Sequence, residues 1–260
     1  MTTLVSRAAF LVSALALSAT PAMAGDWYLS GSIGALNQSD SDNEGATGAF
    51  TTGNLGDGST LAVADGTPYG WNTDFETGAS YAIEVGKRTD KGLRFGAEGV
   101  FTNADVDTHT NVTLGGGSID AVDAAAIAGS PDPLGVTVAQ VVADGRGEIS
   151  QQALFANVYY DFTSSSAITP YVGAGIGVSD VDVEYRPSDI GVIDDGQTKF
   201  AYQGKAGLTL SFDSPLEVFG EVAYRATSDV ETRNDLFPGS LDIENKQFSF
   251  GAGVRFAFGG

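Results

Sequence analysis

Acidic and basic side chains of this chain recur on one parity of short alternating segments. The acids are Glu84, Glu98, Asp161, Glu217 and Glu221; the bases are Arg88, Arg94, Lys199, Lys205, Arg225 and Arg255, with Asn157 and Gln203 among them. Three chemistries use such a set. A pair of carboxylates with unequal proton affinity runs general acid–base catalysis. A ring of charge selects ions in a channel. Acids and bases kept from water neutralise one another, because an unpaired buried charge is costly. Five acids against six bases give every carboxylate a partner. Mutual pairing is therefore the expectation, centred on Glu84, Arg94, Glu98, Lys205, Glu221, Arg225 and Arg255.

The remaining motifs assign no catalytic, cofactor-binding or metal-ligating residue. His109 is the one histidine and there is no cysteine, which leaves little for a zinc site or a Ser-His-Asp triad. It is expected in an exposed loop. Gly173-Ala174-Gly175-Ile176-Gly177 fails as a dinucleotide fingerprint, because position 178 is valine and no helix follows. Its glycines instead clear space on one strand face beside a bulky neighbour such as Tyr171. Asp40-Ser41-Asp42-Asn43-Glu44-Gly45 opens like a calcium loop, but its twelfth position is Thr51, so a solvated acidic turn is expected.

The elements that must hold the charges are strands. From Phe248 to Phe258 the chain reads F-S-F-G-A-G-V-R-F-A-F, apolar on every second residue. Seven further segments repeat the pattern, giving 26–36, 76–88, 92–104, 148–162, 168–179, 199–212, 216–227 and 245–258. Each is long enough for a tilted membrane-crossing strand. One face is apolar, including Ile83, Phe95, Val158, Ile176, Leu208, Val222, Phe250 and Val254, and is expected to face lipid. Lys87 is the one charge on it. The connections alternate between long and tight, as in outer-membrane barrels. The fold class is all-β: an eight-stranded antiparallel transmembrane β-barrel, an up-and-down meander with long extracellular loops and both termini periplasmic. Residues 119–128 are expected as a short helix opened by Asp or Ser. The Val-rich 134–142 segment keeps a ten-strand alternative open.

Bulk properties agree with an exported barrel. Arg7, an apolar stretch from Ala8 to Ala19 and Ala22-Met23-Ala24 form a secretory signal. Cleavage after Ala24 would leave a mature barrel domain of residues 25–260. The net charge of −20 argues against nucleic acid. Most of the acids lie in the long loops, which are rich in Gly, Ser, Thr and Asp and are expected to be mobile and solvated. A loop position such as Asn54 should accept arginine silently.

Four stretches carry a resemblance: Gly25-Asp26-Trp27-Tyr28-Leu29-Ser30-Gly31, Thr169-Pro170-Tyr171-Val172-Gly173-Ala174-Gly175, Phe200-Ala201-Tyr202-Gln203-Gly204-Lys205-Ala206-Gly207, and the terminal strand. The chain resembles the small Gram-negative outer-membrane barrels of the opacity-like, surface-antigen porin family, similar to the transmembrane domain of outer-membrane protein A. The resemblance implies residence in the outer membrane, contact with lipid and lipopolysaccharide, and insertion by the barrel-assembly machinery. It implies no cofactor and names no host or envelope partner. The function expected is a non-enzymatic structural or surface-interaction role with a charge-plugged lumen. A small-solute diffusion porin is the alternative, and a rim-located membrane enzyme the third.

Overall fold

A computed structural model describes residues 27–163, 165–189 and 191–259. The signal segment and the Ala24 cleavage point lie outside these residues. Eight strands form a closed antiparallel ring: β1 (Trp27–Gln38), β2 (Thr77–Arg88), β3 (Leu93–Leu114), β4 (Gly147–Asp161), β5 (Ile168–Tyr185), β6 (Ile193–Ser211), β7 (Leu216–Thr227) and β8 (Lys246–Phe258). Each pairs with its sequence neighbour, and β8 returns to β1 along its length, from Trp27 opposite Phe258 to Gln38 opposite Gln247. Closure removes every free edge in the ring. The ten-strand alternative is thereby excluded.

The ring is apolar outside and polar inside. Leu29, Ile33, Phe95, Val158, Ile176, Leu208, Phe250 and Val254 all face outward and exposed, whereas Tyr28, Glu84, Arg94, Glu98, Lys205 and Arg255 are buried within. Val222 sits on the outward face and is half-buried. Lys87 Nζ rests 5.9 Å from the Trp27 ring centroid, at the short-turn end. Glycines make room for the inward rings: a Cβ on Gly173 would meet Tyr159, one on Gly207 would meet Tyr171, and one on Gly253 would meet Phe219. Tyr159, rather than Tyr171, is therefore the neighbour that Gly173 accommodates.

Several strands run past the apolar band and the long connections are folded, contrary to the expectation of mobile loops. Ser41–Thr47, Thr67–Phe75, Val230–Arg233 and Gly239–Ile243 form a sheet added to the far end of β3. The Asp40–Gly45 stretch is thus mostly strand, not a turn. Ser41 and Asn43 point inward, where the Ser41 hydroxyl donates to Asn43 Oδ1 at 2.9 Å. Two short helices complete this cap: α1 (Ala125–Ala128) and α2 (Val138–Val142). The expected 119–128 helix shrinks to α1. Asp123 precedes it and takes the backbone N–H groups of Ala125, Leu134 and Gly135, each at 2.9 Å, which hold its carboxyl below the usual carboxylate range. The valines of 134–142 form a helix rather than a hairpin because Thr137 and Gln140 make a reciprocal capping box. The cap has its own core of Leu36, Ala104, Ile149, Val181, Val183, Tyr185, Ile193, Leu241 and Ile243. Asn54 is part of this structure. Its Oδ1 accepts from Gly56 and Gly58 and its Nδ2 donates to Pro131, so it is buried and not a silent position.

Candidate functional site

Two places gather chemically capable side chains: the ring interior and the cap. Period-two alternation on eight strands sends the charged parity of every segment toward one axis. At the short-turn end Glu217 bridges Arg88 and Arg255. Arg88 Nη1 donates to Glu217 Oε1 at 2.8 Å, and Arg255 Nη1 lies 3.3 Å from Oε2. One layer further in, Arg94 is fully buried and pairs with Asp161 at 3.1 Å and with Glu84 at 4.0 Å. Its guanidinium lies 4.1 Å from the Tyr159 ring centroid and 4.8 Å from that of Tyr171. Such cation–π contact strengthens when water is absent. Glu84 accepts from the Tyr28 and Tyr159 hydroxyls at 2.7 and 2.5 Å.

The next layer holds Lys205 between two acids, with Nζ 2.5 Å from Glu98 Oε1 and 2.9 Å from Glu221 Oε1. Asn157 joins Glu84 to Glu98 by donating to both, at 2.8 and 2.9 Å. Gln203 donates to Glu98 and accepts from Arg225 Nε at 3.0 Å, while Arg225 Nη1 donates to Ser249. Above these lie the apolar Val100, Ala153, Phe155 and Ala201. Then comes an uncharged layer in which Gln38 and Gln151 both donate to Asn245 Oδ1. Two cavities lined by these interior residues measure about 10 Å³ each, room for about one water apiece. Six of the seven residues expected to form the network make an ion pair with an opposite charge; Arg225 is held by amide and hydroxyl partners. Lys199, the sixth base of the set, is half-buried.

The cap contains what the sequence did not suggest. A cavity of about 190 Å³ is walled by Phe50, Tyr69, Trp71, Leu114, Ile127, Val142, Tyr185 and Phe237, with other apolar residues. His109 lines it, on the cap extension of β3 and 3% exposed, not in an exposed loop. A register shift in the pairing with Thr67–Phe75, between Val106 and Thr108, puts it there; a second shift follows it, beside Asn111 at φ +56°. Burial lowers the His109 pKa from 6.5 to about 4, against an opposing pull from Asp144. The same desolvation pushes Tyr69 up to about 12. On the outside of the cap, cross-strand neighbours Asp105, Glu148, Glu184 and Asp194 form an acidic row beyond the apolar band, in which Arg186 pairs with Glu184 at 2.7 Å and with Asp194 at 3.5 Å. Burial and the charges of Glu184, Asp105 and Asp182 raise the Glu148 pKa.

Among the described residues, no group of three or more His, Asp or Glu side chains is arranged to hold a metal ion. None of their helices is long and apolar enough to cross a membrane.

The model of the Surface antigen family matches residues 81–258. No curated protein matches the chain by sequence. Among solved structures the chain is similar to the outer membrane protein OprG from Pseudomonas aeruginosa, at TM-score 0.52 and 14% identity, covering 90% of this chain and 96% of that one. Neisserial surface protein A is matched at TM-score 0.44 and 14% identity, with 89% and 97% covered.

Proposed function

This chain belongs to the Surface antigen family, and from that premise we propose that its barrel is a closed, non-enzymatic outer-membrane anchor presenting the folded cap at the cell surface. In this reading the chain is cleaved after Ala24, both termini lie in the periplasm, and the short turns face the same way. The barrel-assembly machinery inserts the ring. The apolar outward band, with Ile83, Phe95, Val158, Ile176, Leu208, Val222, Phe250 and Val254, meets lipid. The acidic row above it meets lipopolysaccharide through divalent cations, since carboxylates and phosphates repel one another.

The observation that carries the proposal is Lys205 held between Glu98 and Glu221 in the middle of the ring. A diffusion pore needs water along its axis, and an eight-strand interior is only wide enough for side chains to fill. Here tyrosines, amides and paired charges occupy that width, and the neighbouring cavities are single-water in size. A breached network would leave buried charge without a partner, so the fill is self-consistent as a plug. The test is single-channel recording of the refolded protein in a planar bilayer. The proposal expects a silent bilayer; a large, steady, ion-selective conductance would favour the small-solute porin.

A further inference from the structure

The ring network leaves the cap cavity unexplained. A surface anchor needs no hollow of about 190 Å³ in its outer part. Packed interiors rarely contain voids larger than a water, and an apolar void of roughly 150 Å³ stays dry and takes up a benzene-sized molecule. A purely greasy hollow would be read as imperfect packing. This one has a polar atom built into its wall. His109 is almost fully buried, and its Nε2 has no hydrogen-bond partner among the described residues.

The other side of that ring is fixed by a relay. Ser41 donates to Asn43 Oδ1 at 2.9 Å, which orients the amide so that Asn43 Nδ2 donates to Thr73 Oγ1 at 2.8 Å. The Thr73 hydroxyl lies 2.9 Å from His109 Nδ1 and, with its oxygen accepting from Asn43, has its own proton free to give to that nitrogen. A neutral imidazole that accepts at Nδ1 carries its proton on Nε2. In that tautomer the cavity presents the His109 Nε2–H donor, with the buried hydroxyls of Tyr69 and Tyr185, unpartnered among the described residues, also in its wall. Trp71 and Tyr185 flank the imidazole edge-on, with ring centroids 6.4 and 4.8 Å from it. The desolvated, neutral state of His109 fits this arrangement.

We propose that the cap cavity is a binding site for a small uncharged molecule, one aromatic ring or its equivalent in size, carrying one carbonyl-type acceptor that takes the hydrogen bond of His109 Nε2. The apolar wall selects the body of the ligand and the size of the hollow limits it to roughly one ring. A carboxylate is disfavoured, because the chain is strongly acidic and Asp144 lies close enough to His109 to act on it. The site is separate from the ring interior and does not depend on whether the ring conducts.

The test is a ¹⁹F NMR titration of the full chain in lipid nanodiscs with 4-fluoroacetophenone and, as its acceptor-free match, 4-fluoroethylbenzene. Empty nanodiscs and the cavity-filling variant Ala126→Phe report partition into lipid. The site predicts saturable binding of the ketone, about 3- to 10-fold tighter than the hydrocarbon, the range one net hydrogen bond provides. Ala126→Phe should abolish both, and His109→Leu should reduce the preference for the ketone. Signals that never saturate and persist in Ala126→Phe would overturn the site. Saturable binding without preference for the ketone in the unmutated protein would overturn the role of His109, whether or not either variant folds.

Discussion

Strand β5 passes through two environments within its 18 residues. In the ring its exposed large apolar residues are Ile168, Val172, Ile176 and Val178, all on the even parity. In the cap its apolar residues are Val181, Val183 and Tyr185, all on the odd parity and all buried. The even positions there are Asp180, Asp182 and Glu184. The same inversion separates Leu29 and Ile33 from Leu36 on β1, Phe95 and Phe101 from Ala104 and Val106 on β3, and Leu154 and Val158 from Ile149 on β4. A strand's geometry does not change along this length, so the solvent does. In the proposed reading the outer face of the ring meets lipid, so apolar side chains point out and charges pair within. Where it meets water, the ordinary arrangement returns. The ring is held by internal charge pairs and the cap by a small apolar core.

The largest way to break this contrast is to unpair the ring. Lys205→Met leaves Glu98 and Glu221 buried without their shared base. It should destabilise the barrel by about 3–5 kcal/mol, less if water enters, read from the shift in urea midpoint of the refolded protein. A shift no larger than that of an exposed substitution would show that the interior is solvated. Next is a charge on the outward band. Ile83→Arg should cost roughly 2–4 kcal/mol near the midplane, while Thr60→Arg in an exposed stretch of the cap should be close to neutral. Equal midpoints for the two variants would refute the assignment of Ile83 to lipid.

Acid should act on the cap through His109. Its pKa is lowered to about 4 in the folded protein from 6.5, so between those values the unfolded chain binds the proton and the folded one does not. This contribution is complete above about pH 6.5 and is lost as pH falls toward 4, by about 2 kcal/mol between pH 7 and pH 5. Glu148 works the other way, since its raised pKa makes protonation favour the folded state. Comparing urea midpoints of the native protein and His109→Gln at the two pH values isolates the histidine. A pH response unchanged by the substitution would remove His109 as its source. The smallest effect compares one methylene in the two regions. Ile149→Val in the cap core should cost about 0.5–1.5 kcal/mol, whereas Ile176→Val on the outward band should cost less, because lipid tails fill the gap.

The inversion also explains what the sequence could and could not tell. The eight strands were visible because the ring keeps one parity for long enough to register, and their expected bounds fall close to the observed ones at the short-turn end. At the other end the expected strands stop at 104, 179 and 199, short of the observed ends of β3, β5 and β6, near where the apolar parity switches and a single period-two template stops matching. The inward positions of Glu84, Glu98, Lys205 and Arg255 follow from alternation alone; which acid meets which base depends on register and stagger around the ring, which no single strand encodes. His109 was beyond reach for a different reason. Alternation from Ala104 and Val106 would send Thr108 inward, and the register shift between Val106 and Thr108 brings His109 there instead. The capping box of Thr137 and Gln140 is present in the sequence and marks α2 directly, but the valines between and after them read as strand.

Collision measurements along β5 put the inversion itself to the test. Single cysteines carrying a nitroxide label, placed at Val172, Val178, Asp180 and Glu184 in the refolded cysteine-free protein, report contact with oxygen in lipid and with a nickel chelate in water. The account predicts oxygen-dominated collisions at Val172 and Val178 and a switch to nickel-dominated collisions at Asp180 and Glu184. A lipid signature continuing through Glu184, or a water signature at Val172 and Val178, would contradict it.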